Sequence, residues 1–325
     1  AAEPLASFAN MKKLILIAIV YCFAWLVRSR KTLKATLTLL LSAALVLSLY
    51  GIVSYFHGSG LEESYRVRAT VSSTVTLGGL LLLVFSMSLL LSLVGSRGRQ
   101  RLLPAAAALA SFLCLILTFT RGAWVGAALV FLFSLVFLSG KGRIILVSAV
   151  LAIALVSLSS ARVRERTASF AQVEEMSIRG RISMWLSATE IVKDHAGFGA
   201  GLMDLGQVYE RYRRPDWGFT SGHMHSSYFH VMASTGLVGL AVFLWFMRSL
   251  CALLLRNLRA VSSHHVHERA VCLGALAGFL GFCVAGVFEW NFGDAEVVSL
   301  LYCFVGLSCA CERLTSDSPV SREHA

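Results

Sequence analysis

The chain has 325 residues, 57% of them hydrophobic and only 14% charged. Soluble domains carry roughly 25% charged residues, so this composition excludes an ordinary soluble enzyme and indicates a membrane protein. The formal net charge is +11, but most of the excess sits in short segments between apolar runs: Arg28, Arg30, Lys31 and Lys34, then Arg97, Arg99 and Arg101, then Lys141 and Arg143, then Arg256, Arg259 and Arg269. That is the positive-inside pattern of cytoplasmic loops, and no nucleic-acid partner is expected.

Apolar runs of about 17–25 residues, each long enough to cross a bilayer core, recur along the chain. They predict an all-α, polytopic transmembrane helical bundle with nine spans near 13–27, 33–56, 76–95, 103–119, 122–138, 142–160, 227–253, 270–288 and 295–311. The short alternating segments of a membrane β-barrel are absent from the sequence. The predicted organisation is spans one to six in 1–160, a long polar loop in 161–226, spans seven to nine in 227–311, and a polar cytoplasmic tail in 312–325. With the basic loops in the cytoplasm, alternation places loops 57–75, 120–122, 161–226 and 289–294 together on the outer face. It also places the first residue outside, so the sequence is expected to lack its first few helices. All eight cysteines lie in spans or at their ends, where they read as small buried apolar residues rather than a disulfide framework.

The polar motifs follow in chain order. Arg66 and Arg68, in the first outer loop, are weak candidates for binding an anion. Thr118-Phe119-Thr120-Arg121-Gly122-Ala123-Trp124-Val125-Gly126 puts an arginine at the start of an apolar helix. Helix N-termini carry unpaired N–H groups and suit anions, Arg121 adds a bidentate fork, and the glycines allow close approach. An arginine snorkelling to the interface is the competing reading. In the long loop, Arg179 and Arg181 stand just before Trp185. Either arginine suits a phosphate, or pairs with Glu174 or Glu175 as a solvated charge. Residues 181–194 read as an amphipathic helix with Ile182, Trp185, Leu186, Thr189 and Val192 on its apolar face. Gly197, Gly199 and Gly201 read as a flexible turn after it. His223 and His225 form an H-x-H pair at the entry to the seventh span. A general base, accepting a proton from a hydroxyl, fits them better than a metal site, because no third ligand stands at zinc-site spacing; an interfacial cap is the plain alternative. Glu289 and Asp294 flank the last outer turn, where they orient a histidine or arginine or cap a helix. His264, His265 and His267 fall in a cytoplasmic loop and are expected to be solvated.

These motifs, in this order, resemble the O-antigen ligase and O-antigen polymerase superfamily of bacterial membrane glycosyltransferases. The matching pieces are TFTRGAWVG (118–126), GRISMWLSATEIVKDHAGFGAG (180–201), HMHSSYFHVMASTGLVGL (223–240) and FEWNFGDAEVVSLLYCFVGL (288–307). The sequence departs from the family pattern at Ala196, where a proline is usual, and at Ser226, where an asparagine is frequent. The resemblance implies a multi-pass protein of the bacterial inner membrane with its active face in the periplasm. It implies transfer of a glycan from an undecaprenyl-pyrophosphate carrier to an acceptor hydroxyl, with lipid A–core favoured as acceptor. On that scheme Arg121 and Arg181 hold the pyrophosphate, His225 is the base and His223 supports it. Arg66, Arg68, Arg179, Trp185, Gly199, Gly201, Glu289 and Asp294 line the substrates. The scheme calls for no cofactor, nucleotide or metal. O-antigen polymerase and protein O-oligosaccharyltransferase share the donor and differ in acceptor. A transporter of lipid-linked or anionic solutes is the reading from another class. It would favour charges at mid-membrane depth, whereas these cluster at one face.

Overall fold

The computed structural model describes residues 11–58, 66–138, 140, 142–144, 147–148, 179–195, 197–202, 205–213 and 223–316. Among them the protein is helical, with no strand. A 3₁₀ stretch, Met11–Ile17, leads into α1 (Ala18–Leu26); α2 is Arg30–His57, α3 Thr74–Leu90, α4 Leu102–Leu117 and α5 Arg121–Val136. Then come α6 (residues 179–194), α7 (Gly206–Tyr212), α8 (Ser227–Ala260), α9 (Val266–Ala285) and α10 (Ala295–Ser316). Six helices are long and apolar enough to cross a membrane, and Lys13–Leu26 and Arg121–Val136 are shorter apolar helices. The spans expected from the sequence therefore appear as helices, except the one at 142–160, most of which lies outside the described residues. Residues 161–178, 214–222 and the tail from 317 also lie outside them. The last span extends past its expected end at 311, because α10 continues to Ser316.

The described residues divide into two compact units, one within 11–134 and 242–316, the other within 135–241. In the larger unit the helix starts are set locally. Ser29 accepts the N–H of Thr32 and Ser73 accepts the N–H of Thr76, each satisfying an orphan donor of the first turn. Gly58, at φ +70°, ends α2 in the left-handed conformation that glycine adopts without strain. α3 and α9 form the buried centre, and small residues bring their backbones together. A Cβ on Gly274 would meet the backbone of Met87 at 2.9 Å, and the Ser86 hydroxyl donates to the Gly274 carbonyl at 2.7 Å. α5 crosses α9 the same way, with Gly126 against the Gly281 carbonyl. The flanks of α2 remain exposed and apolar at Leu39, Val46, Val53 and Phe56, a surface suited to lipid.

The larger unit has two polar ends. At one, Arg30 pairs with the buried Glu268 at 2.9 Å and reaches His265 at 2.9 Å, His267 meets the Gly95 carbonyl, and Arg313 donates to the Val27 carbonyl. His265 and His267 are thus engaged rather than solvated, which corrects the sequence expectation: the first turn of α9 packs against α2 and the end of α3. At the other end, Lys13 donates to the Gly293 carbonyl, Arg66 reaches Thr118 and Thr120, and Thr76 donates to Asp294. In this unit the described parts of the loops expected on the outer face, 66–75, 120–122 and 289–294, therefore share one end, and the basic segments 28–34, 97–101 and 256–269 share the other. No disulfide joins the eight cysteines, and Cys22 is exposed rather than buried.

Candidate active site

Arg121 is the first residue of α5. The turn before it is held from several directions. Phe119 adopts φ +51°, a strained value for a residue with a side chain. The Arg66 guanidinium donates through Nε to the Thr118 carbonyl at 2.9 Å and through Nη2 to the Thr120 hydroxyl at 3.2 Å. Thr120 in turn donates to the Thr74 carbonyl at 3.2 Å, and Trp124 donates its indole N–H to the Leu115 carbonyl at 3.2 Å. Arg66 is thus tied to the turn that presents Arg121, while Arg68 is exposed two residues on. Gly122, next to Arg121, lies against Glu289: a Cβ there would sit 2.9 Å from the Glu289 side chain, which is itself buried. Asp294 accepts the Thr76 hydroxyl at 2.9 Å, and burial, its largest influence, pushes its carboxyl above the ordinary range.

The second group of candidates lies in the smaller unit, at the start of α8. His223, Met224 and His225 alternate in and out. Met224 is buried in a core with Met184, Ala188, Ile191, Leu205, Tyr209 and Ala233. The two histidines are half-buried, and their rings lie 4.3 Å apart, centroid to centroid. The H-x-H pattern has a structural cause here: the central methionine anchors the turn in the core, with a half-buried imidazole on either side of it. His225 has φ +43°, another strained position. The turn is held by Trp185 on α6, whose indole N–H donates to the Met224 carbonyl at 3.1 Å and whose ring stacks on Phe229 at 5.1 Å. Arg181 precedes Trp185 by four residues on α6 and so shares its face. The fold therefore brings Arg181, Trp185, His223 and His225 into one neighbourhood. Arg179, at the start of α6, is exposed.

The face that α6 buries differs from the expected one. Gly180, Ser183, Met184, Ser187, Ala188 and Ile191 are buried, while Ile182 and Leu186 are exposed and Trp185, Thr189 and Val192 are intermediate. The small residues won because they let the helix approach α7, where Ser187 donates to the Tyr212 carbonyl at 3.0 Å. Nor is the glycine segment a loose turn. Ala200 and Gly201 donate their backbone N–H groups to Ala233 and Ser234 of α8 at 2.9 and 2.8 Å. Gly199 at φ +67° and Gly201 at φ +117° supply the backbone angles this needs.

His230, buried in the first turns of α8, was not singled out from the sequence, although it belongs to the same HMHSSYFH run. The hydroxyls of Ser183 and Tyr209 are buried without a hydrogen-bond partner among the described residues. No three His, Cys, Asp or Glu side chains converge as a metal site among the described residues.

No curated protein matches the chain. Residues 105–244, which run from α4 into α8 and include Arg121, Arg181, His223 and His225, match the family model described as O-antigen ligase, which supports the resemblance of this part of the chain to the O-antigen ligase and polymerase superfamily.

Proposed function

We propose that the protein transfers a glycan from an undecaprenyl-pyrophosphate carrier to a hydroxyl of lipid A–core, at the periplasmic face of the bacterial inner membrane. In this reading the acceptor oxygen attacks the anomeric carbon of the carried glycan. The bond from that carbon to the pyrophosphate oxygen breaks, and the electron pair leaves with the carrier. His225 takes the hydroxyl proton, with His223 beside it, and Arg121 and Arg181 stabilise the negative charge on the departing pyrophosphate. The donor is already activated, so the protein's tasks are to neutralise charge and deprotonate the acceptor. Arg179 and Arg68 add positive charge for the anionic donor. Arg66, Glu289 and Asp294 shape the larger unit's polar end, and Trp185, Gly199 and Gly201 hold the histidine-bearing segment.

The observation that supports this reading best is the turn at His225. A strained backbone, a buried anchor on one side and a tryptophan bond on the other hold two imidazoles on the same helix entry, near Arg181. Such strain is maintained where the surrounding structure fixes it, and it clusters at functional sites. The direct test uses the full chain in lipid nanodiscs with undecaprenyl-pyrophosphate-linked glycan and purified lipid A–core. Glycan joined to lipid A–core is expected. Transfer only onto a second carrier-linked glycan would make it a polymerase, and transfer only onto protein serine or threonine would make it a protein glycosyltransferase. Movement of donor across the bilayer without any new glycosidic bond would support a transporter.

A further inference from the structure

α8 changes character at Gly236. Before it, Ser227–Thr235 is buried or half-buried within the smaller unit; after it, Leu237 and Val238 are 53% and 52% exposed. Gly236 breaks the helical geometry with φ +68°. The segment 197–201 is fastened at this break. Val238 donates its N–H to the Gly197 carbonyl at 3.4 Å, and a Cβ on Gly199 would lie 2.5 Å from the backbone of Thr235 and Gly236. Phe198 stands between these two contact glycines and is 82% exposed.

A large apolar ring held rigidly outward from a segment bonded on both sides is not a loose loop tip. Its neighbours are the first exposed apolar residues of α8, a helix long and apolar enough to cross a membrane. We propose that Phe198 is a bilayer anchor: it inserts beside Leu237 and Val238 into the acyl region at the membrane surface and fixes the depth at which the histidine-bearing start of α8 stands. The occupant is the phospholipid bilayer, because the exposed surface is continuous with α8's own lipid-facing side and the interface is where exposed aromatic rings are most stable. The break at Gly236 then marks where α8 leaves the lipid. This inference does not depend on which reaction the protein catalyses.

The test replaces Phe198 with photoreactive p-benzoylphenylalanine in the full chain and irradiates it in nanodiscs of defined phospholipid. Because the side chain is exposed, the replacement leaves the core intact. Mass spectrometry is expected to find a phospholipid adduct at position 198, matched by the same replacement at Leu237, and none at Glu190 on α6. Absence of a lipid adduct at 198 while Leu237 gives one would overturn the proposal. So would an adduct to another polypeptide, or, in donor-loaded nanodiscs, an adduct to the carrier's isoprenoid chain in place of phospholipid. Failure of the unsubstituted chain to transfer glycan, with the phospholipid adduct at position 198 still found, would count against the transferase reading and leave the anchor standing.

Discussion

At the residue scale, the two arginines and the carboxylates make different predictions. Arg121→Lys and Arg181→Lys are each expected to lose most transfer activity, since lysine keeps the charge but not the planar two-pronged fork that suits pyrophosphate. Comparing donor binding with turnover then separates ground-state from transition-state contacts. Arg68→Lys, at an exposed position, is expected to change little. Asp294 makes a pH-dependent prediction. Its folded pKa is raised above the ordinary value chiefly by burial, so folding favours the neutral carboxyl. The associated stability is complete below the ordinary carboxylate range and is lost as pH rises through the folded pKa. Asp294→Asn keeps an acceptor for Thr76 and carries no charge. Its melting temperature in detergent is expected to exceed that of the parent at pH 8, with the gap closing as the pH is lowered toward 4. A variant less stable than the parent at pH 8 would mean that the charge, not the bond, holds this turn.

At the element scale, the glycines discriminate between conformational strain and contact. Gly58 and Gly199 both have positive φ, but Gly58 has open space around it and Gly199 has the backbone of α8 in contact. Gly58→Ala is expected to cost only the left-handed penalty of about 1–2 kcal/mol. Gly199→Ala adds a clash with Thr235 and Gly236, so its folded yield and melting temperature are expected to fall well below those of Gly58→Ala. Equal behaviour would show that the 197–201 segment is not fastened. The same elements show what was legible in the sequence. Arg121 at a helix start, the helix after Arg179 and the entry of α8 after His225 all follow from capping, periodicity and apolar runs. The face that α6 buries did not follow, because Ile182 and Leu186 look like core residues to any periodicity argument, whereas Gly180, Ser183 and Ser187 are chosen by close approach to a neighbour. The bond from Arg66 to the turn at Thr118 links positions 52 residues apart, and no local pattern announces it. The glycines of 197–201 looked flexible because their partners lie on α8.

At the scale of the whole molecule, the larger unit gathers the basic segments 28–34, 97–101 and 256–269 at one end and the turns at 66–76, 118–122 and 288–294 at the other. Its orientation across the membrane is open to direct labelling. In a cysteine-free background, Lys193→Cys on the exposed side of α6 is expected to react with an impermeant maleimide from the periplasm, and Ser262→Cys only after permeabilisation. Periplasmic labelling at Ser262 would invert the assignment. Chelator treatment of the purified full chain is expected to leave transfer unchanged; a loss restored by zinc or magnesium would instead make the histidine pair metal ligands. The central claim is that His225 takes the acceptor's proton, and one comparison tests it most directly: transfer by His225→Ala set beside His264→Ala, with folding and donor binding measured on both. His225→Ala is expected to lose about 10²–10⁴-fold in transfer while still binding the carrier-linked donor, and His264→Ala to be near parental. A folded His225→Ala protein that transfers glycan at the parental rate would contradict it.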